Sequence, residues 1–243
     1  MVRFKLNIFI ILLCTSLSFS GKLFSQVTYG KIVYERKTNL YKKLKGDSRE
    51  WIKENNKTKI DLFELYFNDS LSAFLPQESE LKEKMSWATN KNSVYQNFKT
   101  NRKLSIKKIW SESVYIADTL TKRTWKITDS HRNIGGFNCR KAIWQANDST
   151  RIYAWYCNEI MLSSGPESFN GLPGMILGLA TEDGGVIYFA KQIELTQQDI
   201  QKLIPQKTKS KIYSSSELKE KLQKEFGKDK YGKEMIHDTF DIW

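Results

Sequence analysis

The feature that most constrains this chain is its rhythm of short apolar runs. "VTYGKIVYER" (Val27–Arg36), "TKIDLFELYF" (Thr58–Phe67), "LSAFLP", "SVYQNF", "KLSIKKIW", "SVYIADTL" and "TWKITD" follow one another at close spacing, divided by polar turns. Runs rich in β-branched and aromatic residues fit strands. Most of the connections are too short to hold the crossover helices that a parallel sheet requires. The pattern therefore predicts a mainly β fold: a single antiparallel sheet, curved or sandwich-like, with a few short helices. The run Thr58–Phe67 is apolar on both faces and reads as a buried central strand. "NDS" after it predicts a hairpin into "LSAFLP". The 41–57 stretch reads as a polar connection, and Gln77–Asn92 as polar helix or loop anchored by Met85 and Trp87.

The two ends differ from this middle. Arg3 and Lys5 precede an apolar run from Leu6 to Leu17, and small residues follow up to Ser25. A positive start, a short apolar core and a small-residue exit are the marks of a secretory signal peptide. Cleavage after Ser20 or after Ser25 fits; residues 1–25 are read as that peptide, with Gln26 the preferred first residue of the mature chain, exported to periplasm or medium. Leu13 before Cys14 argues against lipoprotein processing. Residues 26–243 are then one domain, and no later stretch is long and apolar enough to span a bilayer. Toward the C-terminus, "TQQDIQKLI" predicts a short helix begun by Thr196. "SSSELKEKLQKEF" predicts an amphipathic one, with Ser215 as cap and Leu218, Leu222 and Phe226 as its stripe. Together they make a helical segment over about residues 196–228.

The formal net charge is +12; Arg3, Lys5 and Lys22 supply three of these, so the chain after Ser25 carries +9. For an exported protein the excess reads as solvated lysines, and no contiguous basic block marks a nucleic-acid partner. Only two histidines are present, neither near a cysteine in sequence, which leaves no metal motif and no expected cofactor. Beyond residue 25 the cysteines are Cys139 and Cys157. They flank "NDS" at 147–149; if Ala146 faces Thr150, partner positions sum to 296 and the cysteines lie opposite one another. An exported pair so placed predicts a disulfide.

Between Ser164 and Gly185 runs "SGPESFNGLPGMILGLATEDGG", with turn residues set among apolar ones. Pro173-Gly174 has the chemistry of a type II turn, and Asp183-Gly184 that of a hairpin turn. With Glu182 facing Gly185, Leu179 faces Tyr188. The glycines thus punctuate strands. No lysine follows Gly171 and Gly174 until Lys191, which excludes a phosphate-binding P-loop. No glycine triplet opens a helix in a βαβ unit, and no serine stands in a G-x-S-x-G frame, which excludes a dinucleotide site and a nucleophile elbow.

"GLPGMILGL" resembles the signature of the GLPGLI family, exported proteins of Bacteroidetes-type bacteria. "LYFNDSLSAF", "WKITDSHRNIGGFNCRKA", "AWYCNEI" and "GPESFNGLPGMILGL" resemble family blocks in family order, from about Val27 to Leu195. Met175 stands where the name has Leu, and Cys157 where a small polar residue is expected. The resemblance implies compartment and fold; the family brings no settled activity.

The expected binding surface is the segment with Gly165, Pro166, Phe169, Asn170, Gly171, Leu172, Pro173 and Gly174, flanked by Trp155 and Tyr156. Rigid loops on a sheet scaffold are where binding residues sit. Glu159 and Glu167 are the carboxylates that a hydrolase would use, whereas Glu182 and Asp183 read as turn residues and His131 as structural. The leading expectation is an exported envelope binding or accessory protein without catalysis, its ligand lipid-like or peptide. A carboxylate-dependent hydrolase and a structural partner of an outer-membrane complex are the alternatives.

Overall fold

In the computed structural model the described residues are 27–44, 46–77, 84–110, 112–205 and 208–240. The segment read as a signal peptide, 1–25, lies outside them. The strands are β1 (Gly30–Asn39), β2 (Thr58–Phe67), β3 (Leu71–Pro76), β4 (Ser93–Asn97), β5 (Arg102–Ile109) and β6 (Glu112–Thr119), then β7 (Lys126–Ile134), β8 (Phe137–Asn147), β9 (Thr150–Cys157), β10 (Met175–Thr181), β11 (Val186–Glu194) and β12 (Ile212–Tyr213). All belong to one sheet, in the order β12-β6-β5-β4-β3-β2-β1-β11-β10-β9-β8-β7.

That order is two meanders, β1 to β6 and β7 to β11, zipped together where β1 pairs with β11. Every pairing is antiparallel except the two-residue β12, which runs parallel to β6. The mainly β reading therefore holds, in its single-sheet form rather than as a sandwich. The sheet is also strongly curved. Ser105 of β5 and Trp144 of β8 border the same cavity, although eight strand spacings separate those strands. Laid flat, that would be about 38 Å.

Alternation sets the inner face. Ile32, Tyr34 and Arg36 of β1 point inward with Asp61, Phe63 and Leu65 of β2. Phe63 stacks on Phe74 at 4.8 Å between centroids, with Tyr188 and Tyr34 around them. β2 is central as expected, but it is not buried on both sides: Ile60 and Leu62 are 54% and 40% exposed.

Three α-helices are present among the described residues: α1 (Leu40–Lys43), α2 (Ser215–Phe226) and α3 (Lys230–Phe240). The cap of α2 is Ser214 rather than Ser215, its hydroxyl accepting from the Glu217 N–H. Leu218 and Leu222 bury against Ile109 and Ile116 of β5 and β6, with Ile236 of α3 beside them. The helix expected from Thr196 reduces to one 3₁₀ turn, Ile200–Lys202. Pro205 follows too closely for a longer helix.

Candidate functional site

The segment 158–174, between β9 and β10, is built into the inner face rather than displayed above it. Val27 and Ile160 form a bridge, and Met175 and Ile176 donate to the carbonyls of Ile160 and Ser164. The Ser164 hydroxyl, fully buried, donates to Ser72 on β3 at 2.9 Å. Of the expected surface, Gly165, Pro166, Phe169, Asn170, Leu172 and Gly174 are buried, and Gly171 and Pro173 are exposed. From the β6–β7 connection, Arg123 donates to the Ser168 carbonyl (3.1 Å) and Trp125 to that of Asn170 (3.0 Å).

The turn at Pro173 is tighter than type II. The Gly174 N–H donates to Leu172 at 2.8 Å, closing a three-residue turn. Gly174 takes φ +145°, and a Cβ there would lie 1.9 Å from the Cys157 carbonyl oxygen. Glycine is required at this close approach.

Beside this segment lies a cavity of about 480 Å³. Its walls come from β1, the 89–94 stretch, β5, β6 and β8, with Glu167, Ser168 and Phe169 of the segment and the faces of α2 and α3. Exposed Thr121, Ser216 and Lys219 stand at its rim. Phe169 packs against Trp144 and Trp125, and the Arg123 guanidinium lies 4.4 Å from the Phe169 ring centroid.

Its floor is ionic. Arg36 and Asp61 are direct cross-strand partners at 2.7 Å, both buried. Asp61 also accepts from Lys59 and from the Thr89 hydroxyl (2.9 Å). Burial raises the Asp61 carboxyl, but Arg36 and Lys59 outweigh it and hold it below its ordinary value of 3.8. Glu167 sits at φ +55°, accepts from Tyr188 at 2.7 Å and lies 3.8 Å from Arg36. A left-handed non-glycine residue at a cavity wall is the kind of local strain that functional sites keep.

The other candidates fall elsewhere. Glu159 does not border the cavity, so the two carboxylates of the hydrolase reading do not meet there. Trp155 and Tyr156 occupy opposite faces. Trp155 packs outside with Phe189 and Arg132, and Tyr156 is buried inside; neither lines the cavity. Glu182 binds Arg151 and Tyr153 on the surface, Asp183 closes its hairpin through the Gly185 N–H, and His131 contacts the Asp129 carbonyl. Among the described residues no group of three or more His, Cys, Asp or Glu is placed to hold a metal.

The cysteine register is as expected, by a different route. Partners from Arg140↔Tyr156 to Gln145↔Arg151 sum to 296, which sets Cys139 across from Cys157. A bulge at Ala146 produces it, with Asn147 pairing Thr150 around a two-residue loop. The expected bond is not formed: both thiols are free and buried, and the Cys139 thiol donates to the Phe137 carbonyl at 3.6 Å. The neighbouring Cys157 thiol, with burial, pushes Cys139 up, and Cys139 in turn draws Cys157 below its ordinary value.

Sequence patterning missed the charged lining. Arg36 is in phase with Ile32 and Tyr34, and Asp61 with Phe63 and Leu65. In-phase opposite charges on two strands were the available signal.

Fold and site together define an open, curved-sheet protein with a charged cavity partly walled by its glycine-rich segment. Residues 144–178, which include that segment, match a family described as "Protein of unknown function (Porph_ging)". Two solved structures are similar in fold. "Structure of PNGF-II in C2 space group" aligns at TM-score 0.54 and 19% identity over 86% of this chain. "Structure of PNGF-II in P21 space group" aligns at 0.53 and 18% over 77%. This chain spans 32% and 31% of the length of those chains. No curated protein matches it.

Proposed function

We propose that this is an exported cell-envelope protein of the GLPGLI kind, which binds a ligand in the cavity between the curved sheet, the 158–174 segment and the C-terminal helices. The observation that carries the reading is the cavity itself. Its volume of about 480 Å³ lies in the range of small-ligand sites. One wall is the segment whose sequence carries both the GLPGLI resemblance and the family match. Among the described residues no helix is long and apolar enough to cross a membrane. The hydrolase reading is weaker because Glu167 is engaged by Tyr188 and Arg36 without Glu159 nearby.

Native mass spectrometry of the protein recovered gently from its own cell envelope tests this. The expected mass starts at Gln26 and carries a discrete ligand. A bare chain starting at Met1 contradicts both export and binding.

A further inference from the structure

Charge around the cavity is unbalanced in a way that specifies its occupant. Six cations line it, Arg36, Lys43, Lys103, Lys107, Arg123 and Lys219, against three acids, Asp118, Glu167 and Asp238. The acids are largely committed. Asp118 accepts from the Ser215 N–H and hydroxyl at the start of α2. Glu167 is held by Tyr188 and Arg36, and Asp238, half-exposed, is the acid that faces Lys43. Arg36 in turn belongs to Asp61.

Four cations remain with little to neutralise them. The ammonium groups of Lys43 and Lys103 make no hydrogen bond or ion pair among the described residues, although Asp118 is the cross-strand neighbour of Lys103. Lys107 donates to the Thr239 carbonyl, and Arg123 to that of Ser168, both neutral acceptors. Burial pulls all four below their ordinary values; Asp118 opposes this at Lys103, Asp238 at Lys43 and Glu167 at Lys107, but the net shift stays downward, and Arg123 and Lys107 push Lys103 the same way as burial. The buried Nε–H groups of Arg36 and Arg123 have no acceptor among the described residues. Every deficit around the cavity is thus of negative charge or of acceptors. Half-buried cations gathered without counter-charge carry a desolvation cost that an anion would offset. Trp144, Phe169 and Phe240 supply ring surface in the same cavity.

We propose that the cavity takes an amphiphilic anion: a phosphate, sulfate or carboxylate head among Lys43, Lys103, Lys107 and Arg123, and an apolar body against Trp144, Phe169 and Phe240. This rests on the cavity being the binding site. The charged head gives orientation and specificity, and the rings hold the apolar body.

Fluorescence titration with two probes of one aromatic frame tests it. Anilinonaphthalene sulfonate carries a fixed negative charge, and N-phenyl-1-naphthylamine does not. The sulfonate binds one per chain, about tenfold or more tighter than the neutral probe, and weakens with added salt. Lys103→Gln/Lys107→Gln, and separately Lys43→Gln, weaken the sulfonate about tenfold or more and leave the neutral probe unchanged. Lys191→Gln, at an exposed position outside the cavity, leaves both unchanged. Dodecyl phosphate displaces the sulfonate at far lower concentration than inorganic phosphate. Equal binding of both probes, or an unaffected sulfonate in both lysine variants of intact melting behaviour, overturns the anion while leaving the cavity as a binding site. Displacement by inorganic phosphate as readily as by dodecyl phosphate overturns the apolar body. Binding of neither probe overturns the cavity as a site, and this inference with it.

Discussion

Asp61→Asn destabilises the protein by about 3–5 kcal/mol, the cost of breaking a buried ion pair by removing one partner. The side chain of Asp61 is fully buried and receives Arg36, Lys59 and Thr89. With asparagine in its place, Arg36 keeps only the 3.8 Å pairing with Glu167 among the described acids. The double change Arg36→Met/Asp61→Leu loses less than Asp61→Asn alone, because the buried Arg36 guanidinium leaves together with its partner carboxylate. Urea unfolding midpoints measure all three. The pH dependence follows the same pair. Because the folded-state value of Asp61 lies below 3.8, its contribution is present above that pH and is lost as pH falls below it. The wild-type acid limb is therefore steeper than that of Asp61→Asn. Equal midpoints for wild type and Asp61→Asn would contradict a stabilising role for the buried Arg36–Asp61 pair.

Gly174→Ala is the second large effect. At φ +145° an L side chain is strained, and here the new methyl would also meet a backbone oxygen, which cannot swing aside as a side chain does. The expected loss is on the order of 3 kcal/mol, a fall in melting temperature of about 6–12 °C for a chain of this size. Pro173→Ala, exposed and one residue away, costs under about 1 kcal/mol. Circular dichroism melts separate the two. Similar small shifts for both would mean that the glycine is dispensable to the segment's seat.

Much of the local structure was legible because strand period and turn chemistry are local. Leu179 does face Tyr188, and the 296 register of β8 and β9 is present, although Ala146 reaches it through a bulge. The β1–β11 junction was not legible, since nothing near Tyr34 or Ala190 encodes a partner so distant in sequence. Helix α3 was missed because Gly232 reads as a breaker. In the fold a Cβ there would lie 1.8 Å from the Phe226 carbonyl oxygen, so the glycine permits the close approach of α3 to α2. The site was half legible. The glycine-rich segment was singled out as a surface, and most of it is buried. Its burial depends on the curvature of the whole sheet, which also turns Lys103, Ser105 and Lys107 into a cavity wall. Alternation shows that these three share a face of β5; it does not show which face is inside.

The central claim is that this cavity is where the protein holds its ligand. Ser105→Trp tests it most directly. Ser105 lies on the cavity wall, 6% exposed, between Val94 and Ile116, and an indole there has about 480 Å³ to enter. Wild type and variant, purified side by side from the same cell envelope and shown to be folded, are compared by native mass spectrometry. The account predicts a discrete bound mass on the wild type that is absent from the variant. The same bound mass on both chains would contradict it, as would a bare wild type.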